Sequence, residues 1–111
     1  KMKGKVLDVG CGNGSFLFIM KKYGWDTYGV DISASAVKLA EEKVGKKRIF
    51  HCRLKECGFP ASHFDVVCLR HVLEHLHKPF EELIEIKRIL KEDGILCIRK
   101  KRIYSLRRKN Q

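Results

Sequence analysis

The segment Val6-Leu7-Asp8-Val9 is apolar except for one acid, and it runs straight into glycines at alternate positions, Gly10, Gly12 and Gly14. A helical pattern follows, with Phe16, Leu17, Met20 and Tyr23 at spacings of three and four. A buried strand, a glycine bend and a helix start form a unit whose loop lets a ligand approach the backbone closely. Two common cradles are excluded by the spacing. Ser15 stands where the third glycine of G-x-G-x-x-G belongs, and no Gly-Lys-Ser/Thr completes a phosphate loop.

The same alternation continues along the chain. Thr27–Val30 reads as a second strand closing at Asp31, Arg48–Cys52 as a third, Phe64–Leu69 as a fourth and Ile95–Ile98 as a fifth. Between them, Ser33 caps a helix with the stripe Val37, Ala40 and Val44, ended by Gly45. His71–Leu76 reads as helical. Pro79 opens a further helix with the stripe Phe80, Leu83, Ile84, Lys87 and Leu90, and Asp93-Gly94 makes the turn into the fifth strand. Short apolar strands alternating with amphipathic helices predict an α/β fold, a parallel sheet covered on both faces. With 111 residues there is room for one domain.

Composition bounds the partners. No apolar run approaches the ~18 residues of a membrane span. The start, Lys1-Met2-Lys3-Gly4, lacks the apolar stretch of a leader. Five cysteines without a C-x-x-C pair predict neither a disulfide framework nor a zinc knuckle, so a cytoplasmic, reducing setting is expected. His71 and His75 stand four apart, but no third ligand has metal-site spacing, so no metal is expected. The formal charge is +11, of which seven positive charges fall between Arg99 and Lys109 with no acid among them. A basic tail over 99–111 suits nucleic acid or an anionic membrane, or else is a solvated terminus or the cut edge of a longer protein; the first defines an alternative reading, a non-enzymatic nucleic-acid-binding module.

Two acids point elsewhere. Asp8 beside the loop disfavours a pyrophosphate and favours a cationic ligand, directly or by orienting loop amides. Asp31 closes the second strand 21 residues after Gly10, where an acid hydrogen-bonds ribose hydroxyls in doubly wound folds or caps the following helix. S-adenosylmethionine carries ribose, an ammonium and a sulfonium, and no phosphate. It fits this pair of acids better than a nicotinamide dinucleotide does.

The run Val6-Leu7-Asp8-Val9-Gly10-Cys11-Gly12-Asn13-Gly14 resembles motif I of the class I S-adenosylmethionine-dependent methyltransferases. Gly29-Val30-Asp31-Ile32-Ser33 resembles their second-strand acid motif. Phe64-Asp65-Val66-Val67 with His71-Val72-Leu73-Glu74-His75-Leu76 and Pro79 is similar to the fourth-strand region of the small-molecule, type 11-like subgroup. Arg88-Ile89-Leu90-Lys91-Glu92-Asp93-Gly94-Ile95-Leu96 is similar to the approach to the fifth strand. The resemblance implies a doubly wound Rossmann-like sheet of order 3-2-1-4-5, here without the usual sixth and seventh strands, as in a fragment of a cofactor-binding domain spanning 1–111.

The resemblance also implies roles. Gly10, Cys11 and Gly12 approach the methionine part of the cofactor through backbone, and Asp8 fixes the loop or attracts the ammonium. Asp31 holds the ribose, Ile32 packs on the adenine and Leu54 lines its other face. The carbonyl of Leu69 or Arg70 reaches the ammonium. His71 is the candidate base, needed only where the acceptor carries a proton. The sequence departs from the family at Cys52-Arg53-Leu54-Lys55, where an acid often contacts the adenine amine, and at Arg99-Lys100-Lys101-Arg102, where Thr-Pro-Asn is usual. The motif of DNA amino-methyltransferases after the fourth strand is replaced by Leu69-Arg70-His71-Val72. A small-molecule or lipid-like methyl acceptor is therefore expected.

Overall fold

The computed structural model describes residues 3–70 and 78–98. Five strands, β1 (Lys5–Val9), β2 (Asp26–Asp31), β3 (Ile49–His51), β4 (Phe64–Leu69) and β5 (Leu90–Ile98), form one sheet in the order β3-β2-β1-β4-β5. Every pairing is parallel. The expected α/β sheet and its strand order are both present.

Period-two alternation along β1 splits the core. Val6 faces helices α1 (Ser15–Lys22) and α2 (Ala34–Val44), where it meets Cys11, Leu17, Val37 and Ala40. Leu7 faces the other layer, α3 (Leu54–Cys57) and α4 (Pro79–Ile89), with Leu54, Phe64, Ile86 and Ile89. Both faces of the central strands are thus buried, as their apolar sequences require. Arg88 ties the second layer together: its guanidinium donates to the Phe59 carbonyl at 2.6 Å and pairs with Glu85.

Three local expectations are corrected. The α4 stripe is turned: Ile86 and Ile89 are buried, while Phe80 is 80% and Ile84 68% exposed. Of the stripe read from Phe80, Leu83 and Leu90 do pack against the core, while Phe80 and Ile84 turn outward. Asp93-Gly94 lies within β5, not before it. The ladder passes from Phe64–Leu90 to Val66–Ile95, so residues 91–94 bulge opposite Asp65. Arg48 belongs to a 3-10 turn over 46–48 ahead of β3, and its side chain pairs with Asp26 at 3.0 Å. The short helix α3 is an element that no sequence signal singled out. The stretch read as helical from His71, and the tail 99–111, lie outside the described residues.

The sheet fixes where a ligand can sit. β1 is flanked by β2 on one side and β4 on the other, so the chain's crossovers diverge at its carboxyl end. That divergence opens a crevice at a topological switch point. The glycine loop, Asp31 and Arg70 all follow strand ends at this crevice.

Gly14 holds the loop against α2. Its φ is +86°, and a Cβ there would stand 2.9 Å from the Ala40 Cα. Gly58, at φ +71°, has open space around it. Gly58→Ala is expected to cost about 1 kcal/mol through φ alone, and Gly14→Ala about 2–4 kcal/mol because backbone crowding adds to it. Urea midpoints of the two variants check this; equal losses would refute the close contact with α2.

Candidate functional site

The loop after β1 directs most of its amides inward. The Val30 carbonyl accepts from both Gly10 (2.9 Å) and Cys11 (3.0 Å). Gly12 donates to Asp31 Oδ2 at 2.8 Å, Gly14 to the Cys11 carbonyl at 3.1 Å and Ser15 to Asn13 Oδ1 at 3.0 Å. Of the six amides from Gly10 to Ser15, five therefore donate within the protein. A phosphate cradle needs those N–H groups aimed at the ligand. The loop's amides are not aimed outward, and the Asp31 carboxylate at its rim is an acceptor that suits a cation or hydroxyls.

Asp31 joins the loop to the end of β2. Its Oδ2 takes the Gly12 amide, and its Oδ1 takes the Ser33 amide at 2.9 Å. Ser33 then caps α2 by accepting from the Ala36 amide. The two readings of Asp31, ribose acceptor and helix-start residue, are compatible: a carboxylate offers about four lone-pair positions, and these bonds occupy two. Asp8 is 0% exposed beneath the loop. Of its two expected roles, that location favours fixing the loop over touching a ligand.

The remaining expected residues divide. Ile32 is 64% exposed at the crevice edge, and its carbonyl lies 3.0 Å from His51 Nε2. Leu69 ends β4 and is buried, and the Arg70 amide donates to the Val9 carbonyl at 3.2 Å. Leu54 is 1% exposed and belongs to the core, so it offers no open wall to an adenine ring. As the first residue of α3 it turns inward and anchors that helix. His71 lies outside the described residues.

Arg70 carries a feature that the sequence reading, confined to its carbonyl, did not include. Its guanidinium reaches back over the glycine loop, donating from Nη1 to the Cys11 carbonyl at 3.0 Å. A Cβ on Gly12 would meet that same Nη1 at 2.6 Å. The legible signal was a cation at the end of β4, facing a loop with two acids.

The thiols are corrected as well. Cys52 and Cys57 form a disulfide across the start of α3, against the expectation of unpaired cysteines. Cys11 and Cys68 are buried, and Cys97 is exposed on β5. Burial pushes the Cys11 thiol up to about 12, with Asp31 and Asp8 adding to the effect. It is a packing residue and not a nucleophile.

A second concavity, about 540 Å³, opens at the opposite end of the sheet between Lys21, Trp25, Val44, Lys46 and Arg48. Its cations meet the carbonyl ends of α1 and α2; Lys21 Nζ donates to the Val44 carbonyl at 3.4 Å. The basic rim is accounted for by those helix termini. Among the described residues no group of acids, histidines and cysteines could hold a metal, and no helix is long and apolar enough to cross a membrane.

Residues 7–98 match the family model described as a methyltransferase domain. The chain is 33% identical to a ubiquinone biosynthesis O-methyltransferase of Glaesserella parasuis, over 85% of this chain and 44% of that protein. It is 40% identical to a phosphoethanolamine N-methyltransferase of Plasmodium falciparum, over 65% of this chain and 29% of that one. A crystal structure of a SAM dependent methyltransferase from Archaeoglobus fulgidus superposes with TM-score 0.72 at 32% identity, covering 82% of this chain and 42% of the other. The chain spans less than half the length of these relatives.

The thiol assignments predict a stepwise alkylation. At pH 8 the native chain should take one adduct, at Cys97, since a thiol with a pKa near 12 is ionised only to about one part in ten thousand. Unfolded without reductant it should take three, and after reduction all five cysteines. Mass spectrometry counts the adducts. Five before reduction would remove the disulfide, and rapid native labelling of Cys11 would contradict its burial.

Proposed function

The chain belongs to the methyltransferase family whose domain it matches over residues 7–98, and from that premise we propose that it binds S-adenosylmethionine and directs its methyl group to a small-molecule acceptor. The observation that carries this reading is the inward-turned glycine loop. Five satisfied amides disfavour a phosphate ligand, and the carboxylate of Asp31 at the same crevice suits a ribose. A nicotinamide dinucleotide, by contrast, would bring its pyrophosphate to a loop with five of its six amides already taken.

The cofactor supplies an activated methyl group and leaves as a neutral thioether, so no acid has to protonate the leaving group. What the chain must supply is alignment. Gly10, Cys11 and Gly12 hold the loop open to a close approach, Asp31 takes ribose hydroxyls and the exposed Ile32 offers an apolar surface to the base. The carbonyls at Leu69 and Arg70 end β4 beside the same loop and suit an ammonium. The wall assigned to Leu54 is dropped, because that side chain is buried. His71 is the proposed base where the acceptor loses a proton on methylation.

The acceptor is proposed as a small metabolite or lipid-like molecule with a reactive oxygen or nitrogen. The named relatives support that range, one in ubiquinone biosynthesis and one named for phosphoethanolamine. The nucleic-acid alternative has no support from the described residues, since the tail that motivates it lies outside them. A cytoplasmic setting is kept as part of the proposal, although the Cys52–Cys57 bond removes the argument from unpaired cysteines.

Calorimetry with S-adenosylhomocysteine tests the reading. The wild-type chain should bind it and give no heat with NAD. Asp31→Ala should weaken the binding about tenfold or more, the scale of a lost charge-assisted hydrogen bond. A folded chain that ignores S-adenosylhomocysteine, or binds NAD equally, would overturn it.

A further inference from the structure

We propose that the Arg70 guanidinium is the receptor for the α-carboxylate of the cofactor's amino-acid end and thereby selects ligands that carry that end. This deepens the cofactor reading above and rests on it. Three observations place the group. It lies on the glycine loop at Gly12, the residue whose missing side chain makes room for it. A hydrogen bond from Nη1 to the Cys11 carbonyl at 3.0 Å anchors it among the described residues. A guanidinium has five N–H donors in a rigid fork, and among the described residues this anchor uses one of them.

The charge pattern fits one chemistry. Five of the loop's six amides are occupied, so backbone offers little to a carboxylate here. Asp8 and Asp31 favour positive charge at the crevice, which serves an ammonium and a sulfonium but repels an anion. A carboxylate on the same ligand therefore needs a cation. Two lie on the loop: Lys43 at its far end, on the Asn13 carbonyl and the Ser15 hydroxyl, and Arg70 at Cys11, the residue on which Asp8 and Asp31 also act. Planar two-point pairing is the geometry that guanidinium and carboxylate share. Gly12 is coupled to the role: a side chain there would displace Nη1, at 2.6 Å from its Cβ.

Two ligands that differ only in this end separate the role from a structural one. S-adenosylhomocysteine carries the ammonium and carboxylate; 5′-methylthioadenosine carries neither. Calorimetry on the wild-type chain, Arg70→Met and Arg70→Lys should show Arg70→Met weakening S-adenosylhomocysteine about tenfold or more while changing 5′-methylthioadenosine less than about twofold. Arg70→Lys, which keeps the charge without the fork and guards against a misfolded first variant, should fall between. If Arg70→Met weakens both ligands equally, Arg70 only braces the loop and the proposal fails while the cofactor reading stands. If neither changes, the proposal fails in the same way. A wild-type chain that binds neither ligand overturns both readings.

Discussion

The hydrogen bonding of the first loop to the second strand is the constraint on which the site depends. A single carbonyl, that of Val30, takes two consecutive amides, and the next amide goes to the carboxylate one residue further on. These bonds fold the glycine loop back over the end of β2 and place Asp31 at its rim. They also decide what the loop can bind. Glycine-rich turns are often read as phosphate cradles, but the chemistry lies in where the amides point. Here five of six point into the protein, and the crevice is left with the Asp31 carboxylate and the Arg70 guanidinium.

That arrangement needs the sheet beneath it. β1 carries Asp8 and Val9 into the loop, and both are buried because α1 and α2 cover one face and α3 and α4 the other. Gly14 lets the loop descend onto Ala40, which draws α2 against the start of α1. Ser33 starts α2 with its own cap, fixed in turn by Asp31. One carboxylate thus links the binding rim, the loop and a helix start. Replacing it would disturb geometry as well as ligand contact, which is why the two-ligand comparison at Arg70 is the more discriminating measurement.

Much of this was legible in the sequence because it rests on local chemistry. The glycine spacing, the apolar strands and Ser33 as a cap are short-range signals, and parallel order follows from helices placed between strands. The features that escaped depend on choices made at a distance. α4 has two apolar rows, and only packing selects Ile86 and Ile89 over Phe80 and Ile84. Asp93-Gly94 is a turn sequence that pairing with β4 converts into a bulge. Cys52 and Cys57 meet because α3 curls the chain between them, which spacing alone does not announce. Leu54 follows a strand end, as a wall residue should, yet the same curl buries it.

Arg70 shows why a residue can be located correctly and still be misread. Its position after β4 suggested a carbonyl aimed at an ammonium, a backbone role that any residue could fill. The side chain adds information that depends on identity. A guanidinium set over Gly12, beside two acids and a loop with few open donors, gives the crevice both signs of charge within a few residues. A ligand that is itself zwitterionic matches such a surface better than a simple cation or anion, because each of its charges then loses water only where an opposite charge replaces it. On this argument the acids set the affinity for the sulfonium side, and the arginine sets the requirement that an amino acid be attached to it.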